Sequence, residues 1–115
     1  MEAKAISRYI KQSPRKIRKT LDSVRHKKVG VALNVLHFSP EKAAIVIEKT
    51  IHSAVANLMS NEDKSNINPE ELSIKEAYVD GGPQAKRFRA ASMGRASLIR
   101  KPTAHLTVVV TDEKN

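Results

Sequence analysis

Among residues able to make or break bonds, only Glu48 and His52 stand four apart along one predicted helix face. That spacing can seat two metal ligands, or a general acid beside a base. The second histidine of the helical zinc-hydrolase motif is missing, and His26, His37 and His105 fall on other elements. Ser13, Ser39 and Ser53 sit at or inside predicted helices without a companion base and acid. The four glycines, Gly30, Gly81, Gly82 and Gly94, make no phosphate-cradling loop. Glu48 and His52 therefore read as a surface pair. The sequence predicts no enzyme, no metal site, no cofactor and no small-molecule substrate.

The chemistry that remains belongs to cations. Residues 81–102 hold six basic side chains, Lys86, Arg87, Arg89, Arg95, Arg100 and Lys101, and no Asp or Glu. The first 28 residues carry a second set, with Arg8, Lys11, Arg15, Lys16, Arg18, Lys19, Arg25, Lys27 and Lys28, and a net charge of +8. Residues 29–80 carry −4, so two basic surfaces flank an acidic middle in a chain of net +9. One-sided charge of this kind destabilises a free fold by self-repulsion and favours a polyanion, with RNA or DNA the first candidates. The aromatic residues are only Tyr9, Phe38, Tyr78 and Phe88, too few for a broad base-stacking platform. Recognition is therefore expected through phosphates and shape. Phe88, between Arg87 and Arg89, either stacks on a base or packs across strands to stiffen its segment. Arg95 beside Gly94 suggests a close backbone approach followed by a guanidinium contact.

These residues need elements to carry them. Residues 3–11 alternate as a short strand, with Ile6 and Ile10 on one side and Ala5, Ser7 and Tyr9 on the other. Ser13 and Pro14 open a helix, Ser as the cap and Pro at a position whose N–H has no intrahelical partner. Ile17, Leu21 and Val24 share its buried stripe, which leaves Arg15, Lys16, Arg18 and Lys19 around the exposed side. Residues 25–28 form its basic exit, and residues 29–36 resume a short helical pattern. Ser39, Pro40 and Glu41 begin the longest helix, expected to run to about Asn61, with Ala44, Ile47, Ile51, Ala54, Val55 and Leu58 as its spine. Residues 61–71 read as a polar loop. Two further strands follow: one in which Leu72, Ile74 and Tyr78 alternate with Ser73, Lys75, Ala77 and Val79, and one over residues 103–111 dense in β-branched residues.

If those last two strands pair antiparallel, residues 81–102 become a basic hairpin arm. With sides of about ten residues it would reach on the order of 30 Å from the body. A two-stranded ribbon of that length is marginal in water. The whole predicts an α+β fold: a small antiparallel three-stranded sheet on three helices, with the arm extending from the body. At 115 residues and without an internal repeat, the chain is expected to form one domain over residues 1–115. It has no Cys, no apolar signal core at its start and no stretch apolar enough for a membrane span, so a soluble intracellular protein without a membrane partner is expected.

The order and spacing of several short segments carry a resemblance across almost the whole chain. They are Ser13-Pro14-Arg15-Lys16 with Arg18, Lys27-Lys28-Val29, Ser53-Ala54-Val55-Ala56-Asn57, Gly82-Pro83, Lys86-Arg87-Phe88-Arg89, Met93-Gly94-Arg95-Ala96-Ser97 and the ending from His105 to Val110. Together they resemble the bacterial large-subunit ribosomal protein L-twenty-two family. The resemblance implies a cytoplasmic, ribosome-bound structural component that binds large-subunit ribosomal RNA, assists assembly and touches neighbouring ribosomal proteins. It further implies that the hairpin lines the nascent-peptide exit tunnel, with Ala90, Ala91, Ser92, Met93 and Gly94 at a tip close to the nascent peptide. Ala90-Ala91-Ser92 departs from the family's usual Pro-Arg-Ala, Pro102 replaces a common basic residue, Gly81 a usual acid, and His26 a frequent Gly. An architectural protein gripping duplex DNA with its basic ribbon is the alternative that composition permits. The tip offers it no proline wedge and only Met93 to part base steps.

Overall fold

The structure, a computed structural model, describes residues 2–61, 68–90 and 96–112, and for residues 61, 85–90 and 96–100 the backbone alone. In chain order the elements are β1 (Glu2–Ile10), α1 (Pro14–Leu21), α2 (Val29–His37), α3 (Ala43–Asn61), a 3-10 turn (Pro69–Glu71), β2 (Ser73–Gly81), β3 (Ala85–Ala90), β4 (Ala96–Lys101) and β5 (Ala104–Thr111). β5, the segment richest in β-branched residues, is the centre of an antiparallel sheet ordered β1-β5-β2. β3 and β4 form a separate antiparallel ribbon. The expected α+β architecture of three helices, a three-stranded sheet and a hairpin arm is what the chain adopts.

The helices cover one face of the sheet. Ile17, Leu21 and Val24 from the α1 region meet Ile47, Ile51, Ala54 and Leu58 of α3, and all seven are fully buried. Leu106, Val108 and Val110 of β5 close the core from the sheet side. Ser13 caps α1, its Oγ accepting from the Lys16 N–H at 3.4 Å, with Pro14 at the first helical position. α3 starts at Ala43, later than expected; ahead of it the Glu41 N–H donates to Ser39 Oγ at 3.3 Å and the Glu41 carboxylate accepts from the Thr20 hydroxyl of α1. His26 turns left-handed at φ 60 and ends the α1 region, the conformation that makes glycine frequent at such a position.

Simple alternation misjudges both edge strands. On β1 the buried residues are Ala3, Ala5 and Ile10, whereas Ile6 is 40% exposed. A register shift between Ser7 and Ile10, with Tyr9 at φ 56, turns the strand over between Ile6 and Ile10. On β2 a second shift between Ile74 and Glu76 puts Ile74, Ala77 and Val79 inward and Tyr78 outward. Each bulge inserts one residue and reverses the facing of everything beyond it.

Neither outer edge of the sheet is left bare. Along β2, Ile74 N–H donates to the Lys27 carbonyl at 2.9 Å and Val29 N–H donates to the Leu72 carbonyl at 2.7 Å. Further along, the Ala77 carbonyl accepts from Arg25 Nε at 3.0 Å and the Val79 carbonyl from Arg18 Nη2 at 2.7 Å. On β1 the Lys4 carbonyl accepts from Asn57 Nδ2 of α3 at 3.0 Å. Such coverage removes the pairing template that an open strand edge offers to other chains.

The β2–β5 ladder ends at Gly81 opposite Ala104, and the arm's ladder begins at Ala85 opposite Lys101. Pro102 lies in the gap, as a residue without a ladder donor must. Gly82 N–H donates to the Thr103 carbonyl at 2.9 Å, and the Thr103 hydroxyl donates to the Pro83 carbonyl, so hydrogen bonds bridge the interruption. The molecule measures 66 × 26 × 19 Å with a radius of gyration of 17.4 Å. A compact chain of this length would have about 13 Å, and the arm accounts for the excess.

Candidate nucleic-acid interface

The two basic stretches, far apart in sequence, meet at the root of the arm. Lys11 just after β1, Lys16 and Lys19 on α1, Lys42 before α3 and Lys101 at the end of β4 line one groove of about 920 Å³. Glu41 is the carboxylate among its described lining residues, and its bond from Thr20 holds it in place. Lys16 and Lys19 stand where they do because Ile17, Thr20 and Leu21 are buried, which orients the rest of α1 outward. Five ammonium groups around one carboxylate have the chemistry to hold phosphates, each lysine offering a mobile point charge with up to three donors. Lys42 was missed by the sequence reading because the segment that holds it, residues 29–80, is acidic overall. Its place directly after the Ser39-Pro40-Glu41 cap was the available signal.

The remaining predicted cations divide by place. Arg15, Lys27 and Lys28 are exposed on the body. Arg8 lies on the outer face of the sheet, away from the groove. Arg18 and Arg25 carry the bonds to β2, and Arg25 also pairs with Asp22 at 2.6 Å. In the arm, Lys86 stands opposite Arg100, Arg87 opposite Ile99, Phe88 opposite Leu98 and Arg89 opposite Ser97. Like charges at directly opposed positions weaken an isolated ribbon, and a ribbon of two strands has no sheet to lean on. Ala90 closes the ladder opposite Ala96, while Ala91, Ser92, Met93, Gly94 and Arg95 lie outside the described residues. Glu48 and His52 are a loose surface pair with Oε1 and Nε2 3.9 Å apart.

A small α+β body with a basic groove at the foot of a basic ribbon defines a polyanion-binding protein. Comparison with known proteins gives the class its particular member: a profile for Ribosomal protein L22p/L17e matches residues 5–111, and the chain belongs to that family. It is 47% identical over 114 residues to the large ribosomal subunit protein uL22 of Halothermothrix orenii, covering 99% of this chain and 98% of that one. It is 50% identical over 113 residues to the uL22 of Syntrophotalea carbinolica, covering 98% and 100% of the two chains. With the uL22 of Bifidobacterium longum it shares 46% identity over 116 residues. Membership of this family decides between the ribosomal reading and the architectural DNA-binding one in favour of the first.

Proposed function

We propose that this protein is a structural, non-enzymatic constituent of the large subunit of the cytoplasmic ribosome, bound to ribosomal RNA and adjoining other ribosomal proteins. The body sits on the RNA through the groove, where Lys11, Lys16, Lys19 and Lys42 meet Lys101. That convergence is the observation that carries the reading, because it joins the body's cations to the arm's on one continuous surface. Arg15, Lys27, Lys28 and the exposed part of Arg18 extend the contact on the body. Lys86, Arg87, Arg89, Arg95 and Arg100 extend it along the arm, which orders as phosphates neutralise it. The arm reaches inward to line the exit tunnel, with its tip beside the nascent peptide and no membrane involved. The whole chain acts as one unit, since an arm unable to bury a core of its own depends on the body that carries it.

A competition titration tests this. The protein is bound to a folded domain of large-subunit ribosomal RNA and challenged with duplex DNA of equal length at several salt concentrations. RNA binding that persists near physiological salt while DNA is displaced is the expected result. Equal competition, with both complexes lost as salt rises, would leave only non-specific polyanion binding and overturn the reading.

A further inference from the structure

The outer face of the sheet, opposite the helices, carries a feature unrelated to the lysine groove. Ile6, Arg8 and Tyr9 of β1, Tyr78 and Asp80 of β2 and His105 of β5 line a recess of about 280 Å³. Both bulges are needed to form it, since one turns Tyr9 outward and the other turns Tyr78 outward. Tyr9 is 64% exposed and Tyr78 43%. Tyr9 is nevertheless fixed in place. Its N–H donates to His105 Nδ1 at 3.1 Å, and the two rings meet edge to face with centroids 5.0 Å apart. That bond leaves Nε2 of the neutral imidazole as a donor.

We propose that this recess takes a single unpaired nucleobase of the ribosomal RNA, stacked on Tyr9 with its amino edge turned to Asp80. The proposal rests on the ribosomal RNA-binding reading and adds a subsite to it. Aromatic side chains on an open antiparallel face are a recurrent way of holding unstacked bases. Four aromatic residues are too few to hold several bases, but two of them gathered at one recess suffice for one. The volume is just under the ~300 Å³ at which small-ligand pockets begin, which suits one ring system. An ionised Asp80 only accepts hydrogen bonds, so it selects a base edge rich in N–H donors. Guanine, with N1–H beside its amino group, matches two carboxylate oxygens best. Arg8 is positioned for the flanking phosphate. The recess also adjoins the arm's root, because a Cβ on Gly82 would stand 3.2 Å from His105 Nε2. Gly82 thus neighbours both features, the recess through His105 and the lysine groove through Thr103.

The chain provides its own reporter, since Tyr9 and Tyr78 are its two tyrosines and it has no tryptophan. Tyrosine emission of the full-length protein should be quenched on binding the ribosomal RNA domain, and quenched more by a hexauridylate carrying one central guanosine than by hexauridylate. Tyr9→Leu keeps the backbone bond to His105 and should weaken RNA binding roughly five- to hundredfold, with an unchanged salt slope because stacking releases no counterions. Tyr9→Phe should retain the affinity, and Asp80→Asn should abolish the preference for the guanosine-bearing hexamer. If Tyr9→Leu binds as tightly as the parent and the parent shows no quenching, the recess is empty of RNA while ribosomal RNA binding stands. Equal weakening by Phe and Leu would equally overturn stacking. Failure of the parent protein to prefer ribosomal RNA over DNA would instead sink the underlying functional reading.

Discussion

Arg15 and Arg18 lie three residues apart on one short helix and do different work. The Arg18 guanidinium donates to the Val79 carbonyl at 2.7 Å, and Arg25 does the same for Ala77 at 3.0 Å, so part of the basic set holds α1 and its exit against β2. Arg15 and Lys16 have no comparable bond among the described contacts to the sheet. Replacing Arg25 by Ala strips a carbonyl of a charged donor and should cost about 1–2 kcal/mol, seen as a fall in the midpoint of thermal unfolding. Replacing Arg15 and Lys16 together should leave that midpoint within about 0.5 kcal/mol of the parent while lowering RNA affinity and reducing the salt slope by about two. Charge density in the sequence marks both kinds of residue alike, because a guanidinium that braces a strand edge and one that awaits a phosphate are the same letter.

At the scale of elements, the core is secured by α3 lying across the sheet, and the arm is attached through a hydrogen-bonded gap. Ile51 is fully buried at the middle of α3, and Ile51→Ala should cost about 2–5 kcal/mol in denaturant unfolding. A loss below about 0.5 kcal/mol would contradict its burial. The gap is more delicate. A Cβ at Gly82 would stand 2.5 Å from Thr103 Oγ1, so Gly82→Ala must push Thr103 away from the Pro83 carbonyl or disturb His105. The expected result is a loosened arm root, read as faster amide exchange at Gly82 and its neighbours while exchange in α3 is unchanged. Alternation identified all three strands of the sheet, yet it placed Ile6 with Ile10 and Tyr78 with Ile74. A bulge leaves no mark on composition. It arises where the two faces of a strand must be reconciled with the partner strand and the helices above it.

For the whole molecule, shape and charge act together. The long axis of 66 Å against 26 and 19 Å means that much of the positive charge is carried away from the core that stabilises the fold. Replacing residues 85–101 by a short glycine-serine turn should therefore leave a folded body. Its radius of gyration in small-angle scattering should fall from 17.4 Å to about 13 Å. An unfolded product would show that the body depends on the arm. Replacing Arg87 and Arg89 by Ala in the full chain should lower RNA affinity and the salt slope with almost no change in melting temperature, whereas a large drop in melting temperature would indicate an arm packed into the fold.

The sequence by itself determined the helix start at Ser13-Pro14, the buried stripes of α1 and α3, the strand β5, the arm and the polyanion partner. Each of these is written in local terms: a cap, a period, a run of β-branched residues, an excess of one charge. The tertiary structure alone decided that Lys101 joins Lys11, Lys16, Lys19 and Lys42 at one groove, that Arg18 and Arg25 brace β2, and that Tyr9 and Tyr78 share a recess with His105. These are meetings between segments up to 96 residues apart, as between Tyr9 and His105, and only the pairing of β1 and β2 with β5 brings them together. Local chemistry chooses the elements, whereas strand register and its two bulges choose which side chains become neighbours.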